Sequence, residues 1–140
     1  MLIKLLLNTA NASADSIYAG SYEALRAIDS GATFWASNTD IGSHWWKYDF
    51  GAGYEQALVK VDIQPEGYWG LPSGVKDFTF EGSNDDLNWT TLYTGQHPNS
   101  LLLESYIFSN TTKYRYYRVY LTTTWRGEGG NQNAINEVYF

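Results

Sequence analysis

The stretch Lys76-Asp77-Phe78-Thr79-Phe80-Glu81-Gly82-Ser83-Asn84-Asp85-Asp86-Leu87-Asn88-Trp89-Thr90-Thr91-Leu92-Tyr93 carries the local pattern on which the fold depends. Phe78 and Phe80 alternate with Asp77, Thr79 and Glu81, the period of a strand with one face buried. Ser83 to Asn88 is a run of turn formers. Trp89 then opens a second apolar segment, so the stretch predicts strand, tight polar turn, strand.

The same period recurs on both sides. Trp46, Tyr48 and Phe50 alternate with Trp45, Lys47 and Asp49. Ala57, Val59, Val61 and Ile63 alternate with Leu58, Lys60, Asp62 and Gln64. Tyr114 to Thr123 is aromatic and β-branched, with Tyr117, Val119 and Leu121 on one face and Tyr116, Arg118 and Tyr120 on the other. Val138 and Phe140 close a last strand, and Tyr22 to Ile28 has room for a helical turn or two. Helical crossovers between parallel strands need a dozen or more residues, which this spacing does not leave. The pattern predicts an all-β, antiparallel β-sandwich.

At 140 residues the chain suits one domain spanning 1–140. A chain of this size buries roughly 68–70% of its unfolded surface and needs no covalent staple. It has no cysteine, which excludes a disulfide framework, a thiolate metal site and a cysteine nucleophile. The net charge is −6, and nine Lys and Arg are scattered along the sequence. A nucleic-acid binder needs a basic face, so nucleic acid is not expected as a partner. An anionic membrane repels such a domain, which argues against a lipid partner. No Ser–His–Asp arrangement, nucleophile elbow or phosphate-binding loop is present, so no enzyme is expected. Asp85 and Asp86 are read as turn residues, since a catalytic carboxylate pair needs opposed placement in a cleft.

Six Trp, twelve Tyr and six Phe exceed what a core of this size absorbs, so the surplus is expected at a recognition surface. Leu2 to Leu7 is too short and interrupted for a secretory or membrane-spanning segment and predicts a first strand. No signal peptide is read in it. The chain is therefore expected to act as a module of a larger multidomain protein, extracellular or at a cell surface, or as a component of a phage virion.

Five motifs stand in order along the chain: Ala24 to Asp29 with Thr33-Phe34-Trp35; Trp45 to Gly51; Ser83 to Trp89; Tyr114 to Tyr120; and Ala134 to Val138. Together they resemble the discoidin domain, the C-terminal type domain of coagulation factors V and VIII, over about Ala12 to Phe140 and in the family's order. That family includes bacterial carbohydrate-binding modules with a galactose-binding-like jelly roll. Cysteine is absent where animal members usually close their ends with a disulfide, which points to the bacterial or phage branch.

The resemblance implies a non-catalytic, lectin-like module that targets its parent protein or particle to a glycan or polysaccharide. A phage or surface assembly module is the alternative. Sugars stack their C–H faces on aromatic rings and hydrogen-bond planar polar groups, and three loops supply that chemistry. Trp35 to Trp46 holds Asn38 and His44. Glu66 to Ser73 holds Tyr68 and Trp69. Thr124 to Asn133 holds Trp125, Arg126 and Asn131. Galactose-binding members often carry Arg and Asn where this chain has Glu66 and Ser73, so their pattern is not met. Trp35, Trp45 and Trp89 are expected in the core, and His97 in a solvated turn.

Bacterial members commonly hold a structural Ca²⁺. The resemblance assigns it the carboxylates of Asp29 and Glu137, the hydroxyl of Thr33, and carbonyls at Arg26, Gly31 and Ala134. Such an ion takes six to eight oxygens. The loop from Asp29 to Thr33 is one residue shorter than is usual in the family.

Overall fold

The computed structural model describes residues 7–39, 42–67, 72–127 and 132–140. The expected strand at Leu2 to Leu7 lies outside these except for Leu7, which packs against the core without strand pairing. Nine strands among the described residues form two sheets. β1 (Ala12–Ala14), β3 (His44–Asp49), β8 (Tyr116–Leu121), β5 (Asp77–Ser83) and β6 (Thr90–Gln96) make a five-stranded sheet in that order. β2 (Trp35–Ala36), β9 (Ala134–Tyr139), β4 (Lys60–Pro65) and β7 (Glu104–Ile107) make the four-stranded one. Each of these neighbours pairs antiparallel. Short 3-10 helices at Thr9–Asn11 and Ala24–Ala27 complete the elements, the second falling within the segment read as a helical turn.

The inward faces follow the period-2 reading. Trp46 and Tyr48 of β3, Phe78 and Phe80 of β5, and Tyr117, Val119 and Leu121 of β8 are buried against Val61 and Ile63 of β4 and Ile135 and Val138 of β9. Trp35 is fully buried, as expected. Phe140 stands among Trp46, Tyr48, Phe50, Phe80 and Tyr117 with ring centroids 5.7–6.4 Å away, the separations that offset and edge-to-face pairs favour.

Buried rings bring polar atoms with them, and three of the largest find backbone partners, while the Tyr106 hydroxyl has none among the described residues. The Trp46 indole donates to Ala24 O at 2.8 Å, and that of Trp35 to Ser16 O at 3.0 Å. Tyr117 donates to Gln56 O at 2.5 Å and accepts from Leu58 N at 3.2 Å. Burial pushes its phenol above the usual tyrosine range. Phe80 stacks on the Tyr117 ring at 5.5 Å. Gly82 allows the approach of Tyr114, whose ring would stand 2.5 Å from a Cβ there.

Two expectations are corrected. The strand read from Ala57 starts at Lys60: Val59 is exposed and Leu58 turns inward instead. The Leu58 amide and carbonyl bind the Tyr117 hydroxyl and the Asn110 side chain, which replace ladder partners. Trp45 and Trp89 are half-buried on the outer face of the five-stranded sheet, outside the core. Alternation already set Trp45 opposite Trp46, and Trp89 is held by Arg118, whose guanidinium lies 4.2 Å from its ring centroid.

Tyr117→Phe should lower unfolding stability by about 1–2 kcal/mol, because Leu58 N loses its acceptor while Gln56 O keeps the amide of Tyr114. A urea midpoint equal to wild type would contradict this.

Candidate functional site

The strand ends gather several loops at one end of the sandwich. β4 ends at Pro65, β5 begins at Asp77, β6 ends at Gln96, β8 ends at Leu121 and β9 begins at Ala134. The register pairs His44 and Phe78 with Leu121, and Ala36 with Ala134, so these ends coincide. The connecting segments are tied by backbone bonds. Trp125 N donates to Ser73 O, Lys76 N to Thr123 O, His97 N to Lys76 O and Ser37 N to Asn133 O. Gly74 is needed in this joint, since a Cβ there would lie 2.7 Å from Ala134 N.

Trp125 is half-buried at the centre of the cluster. Its indole N–H donates to His97 O at 2.8 Å, and the Lys76 ammonium lies 4.6 Å from its ring centroid. The ring is thereby held at a fixed angle, a property a stacking platform requires. Asn38 is exposed on the segment that Ser37 ties to Gln132 and Asn133.

Arg126 has a different part. Its Nη2 donates to Glu66 O at 3.0 Å, its Nη1 to Gln132 O at 3.0 Å and its Nε to Pro72 O at 3.3 Å. One guanidinium thus clasps three carbonyls, two from the Glu66–Ser73 loop and one from its own loop. Burial lowers its pKa and the Glu66 charge works the other way. His44 is also turned inward: it is 3% exposed, and Nδ1 lies 2.8 Å from the Asp15 carboxylate and 3.2 Å from Ser16 Oγ. Among the predicted site residues, then, Asn38, Trp125, Arg126 and His44 come to this end. Asn38 and Trp125 present surface, while Arg126 and His44 bind the protein itself. Tyr68, Trp69 and Asn131 lie outside the described residues.

The end also uses residues that sequence reasoning did not single out. Asn99 Oδ1 accepts from Ser73 N, and His97, expected in solvent, is fully buried with Nδ1 donating to Pro98 O. Asp77 accepts from Thr123 Oγ1 and from Gln96 Nε2, and these bonds, Thr123 first, hold its carboxyl below the usual range. The signal for Asp77 and Thr123 was present in the sequence, as polar residues at the joins of strand and loop.

Of the residues assigned to an ion, Ala134 belongs to the loop end, while Arg26, Asp29, Gly31 and Thr33 lie in and after the 3-10 helix at Ala24–Ala27, which packs on the β9 strand that carries Glu137. Asp29 Oδ1 accepts from Gly31 N at 2.7 Å and Oδ2 from Arg26 Nη1 at 3.1 Å. Ser30 between them takes the left-handed conformation, φ 57°. The Glu137 carboxylate on β9 is 3% exposed, and Ala134 O accepts from Glu66 N. Thr33 and Gly31 are exposed. The donor set is oxygen-rich and carries two carboxylates, which suits a hard cation.

The F5/8 type C domain family model matches residues 9–138, and the chain belongs to that family. No curated protein matches it. Among solved structures it is similar to chitosan-binding module 1, derived from a chitosanase/glucanase of Paenibacillus sp. IK-5. Identity is 28% and the TM-score 0.78, over 98% of this chain and 97% of that one. It also resembles CpGH89CBM32-5 of Clostridium perfringens, solved with GalNAc-β-1,3-galactose, at 18% identity and TM-score 0.79 over 98% of each chain. The family 32 module of C. perfringens NanJ, solved with galactose, is 17% identical with TM-score 0.77, again over 98% of each. At these identities the last two likenesses establish the β-sandwich fold.

Arg126→Lys should destabilise the domain by about 1–3 kcal/mol, since an ammonium cannot reach three carbonyls in one plane. Urea unfolding of the variant checks it, and full retention of stability would mean that the clasp is not needed.

Proposed function

We propose that this domain is a non-catalytic glycan-binding module whose ligand docks on the loop end around Trp125. The observation that carries the reading is the fixed, half-buried Trp125 ring at the meeting point of the loops, with the Asn38 amide on a neighbouring segment. An aromatic face with planar polar groups beside it is the chemistry of a pyranose site. The similarity to a chitosan-binding module supports the same class. Arg126 and His44 serve here as positioning residues, and Tyr68, Trp69 and Asn131 extend the proposed contact set. Targeting a larger protein outside the cell follows from such a role, since a binding module raises the local concentration of what it is attached to.

We also propose a structural Ca²⁺ between the Asp29 loop and β9. Asp29, Thr33 and Glu137 would supply side-chain oxygens, and Arg26, Gly31 and Ala134 carbonyls. Asp29 on the loop and Glu137 on β9 both carry carboxylates in an acidic domain, and a divalent cation held between them would offset their charge. Its chemistry would be to join the first long loop to the last strand.

A glycan array with the purified domain should show binding clustered on one class of terminal or internal sugar. Trp125→Ala should reduce it about tenfold or more, the cost of losing a central aromatic anchor. No binding to any glycan would sink the lectin reading. For the ion, calcium at about a hundred times its dissociation constant should raise the melting temperature by on the order of 5–10 °C over chelator. Glu137→Gln should abolish that difference, and equal melting in both buffers would count against the site.

A further inference from the structure

The outer face of the five-stranded sheet holds a second cluster that the loop end does not use. The register sets Ser13, Lys47, Arg118, Glu81 and Thr91 in one row across all five strands. The next row places Trp45 opposite Tyr120, and Tyr120 opposite Thr79. The turn after β5 folds over this face. Asp86, in the left-handed conformation at φ 61°, directs its carboxylate to Lys47 Nζ at 2.5 and 2.7 Å. Asp85 anchors that turn by accepting from the amides of Leu87 and Asn88.

A cleft of about 380 Å³ results, lined by Trp45, Lys47, Asp86, Leu87, Trp89 and Arg118. That volume lies near the lower end of ligand sites, which run from roughly 300 to 1,000 Å³. A structural duty explains part of the arrangement. Arg118 stacks on Trp89 and donates Nε to Glu81 at 2.5 Å, which fastens the turn to the sheet. On the other wall the Lys47 ammonium lies 4.9 Å from the Trp45 ring centroid. Trp45 is half-exposed on the far side, and Leu87 at the rim is 81% exposed. Among the described residues neither Nη of Arg118 has a protein acceptor.

The cleft therefore offers two indole surfaces, a fork of unused N–H donors, and a carboxylate acceptor in Asp86. Its charges cancel: Lys47 pairs with Asp86, and Arg118 with Glu81. A site with no net charge in a domain of −6 gives a uronate or sulfate no attraction. It suits hydroxyl pairs, which take a hydrogen bond from one partner and give one to the next. We propose that this sheet face is a second glycan site, binding neutral hexopyranose units in the interior of a chain. Both indoles stand half-buried on the outer face of the sheet, where internal units of a chain can reach them.

The test is an NMR titration following the six indole N–H signals, assigned by single substitutions. The probes are neutral hexasaccharides of glucose, mannose and galactose at millimolar concentration, beside an oligouronate of equal length. At least one neutral chain should shift the Trp45 and Trp89 signals in wild type and in Trp125→Ala, which separates this site from the loop end. Trp45→Ala should weaken that response about tenfold. Leu87→Glu, at a side chain too exposed to affect folding, should weaken it severalfold with unchanged melting. Movement of neither indole by any neutral chain would overturn the proposal. So would a tighter response to the oligouronate, or a response that both variants leave intact.

Discussion

A slab of aromatic rings between two sheets needs most of its rings' polar atoms answered at its edges, and this constraint orders the structure; the buried Tyr106 hydroxyl, with no partner among the described residues, is the exception. The Trp46 indole reaches Ala24 O, which fixes the 3-10 helix against β3. The Trp35 indole reaches Ser16 O, which pins the long segment before β2. Tyr117 closes on Gln56 and Leu58, and so sets the loop that leads into β4. An unanswered buried donor costs about 1–3 kcal/mol, comparable to a sizeable share of a domain's net stability. The large rings thus supply burial and, through their edges, dictate where irregular backbone must lie.

The loop end obeys the same rule with charge in place of a ring. Several segments meet there without ladder partners, and their carbonyls would face one another. Arg126 satisfies three of them with one planar group, while Ser37, Gln132 and Asn133 exchange bonds among themselves. A rigid seat for Trp125 follows, and a rigid aromatic loses little entropy when a ligand stacks on it. Binding on this reading depends on residues that never touch the sugar.

Periodicity made β3, β5 and β8 legible because each has one face in the slab and one in solvent, the case in which side-chain alternation and burial coincide. It failed from Ala57 to Val59, where side chains of Tyr117 and Asn110 take over the backbone bonds and the alternation has no sheet to report on. Motif resemblance placed the elements and the loop end. It misjudged Trp45 and Trp89, because a tryptophan stacked on a cation outside the core is as constrained as one inside it. The inward turn of His44 and Arg126 was not legible either. Their partners are a carboxylate 29 positions away and carbonyls up to 60 away, and no local pattern encodes those.

The two proposed surfaces are joined by one strand. β8 presents Arg118 on the sheet face, then runs through Tyr120 to Leu121 and out into the loop that carries Trp125. Strand residues advance about 3.3 Å each, so the face cleft and the loop end lie within the span of a short oligosaccharide. A chain held weakly in both would gain from the high effective concentration of its second contact. Cancelled charges favour this division of labour. Lys47 and Arg118 keep their donors near the surface yet add no net field, so a net negative domain avoids general attraction to polyanions while retaining directional hydrogen bonds. A neutral polysaccharide, long, uncharged and rich in C–H faces, fits the face cleft as proposed, and Trp125 would offer the same chain a second aromatic face.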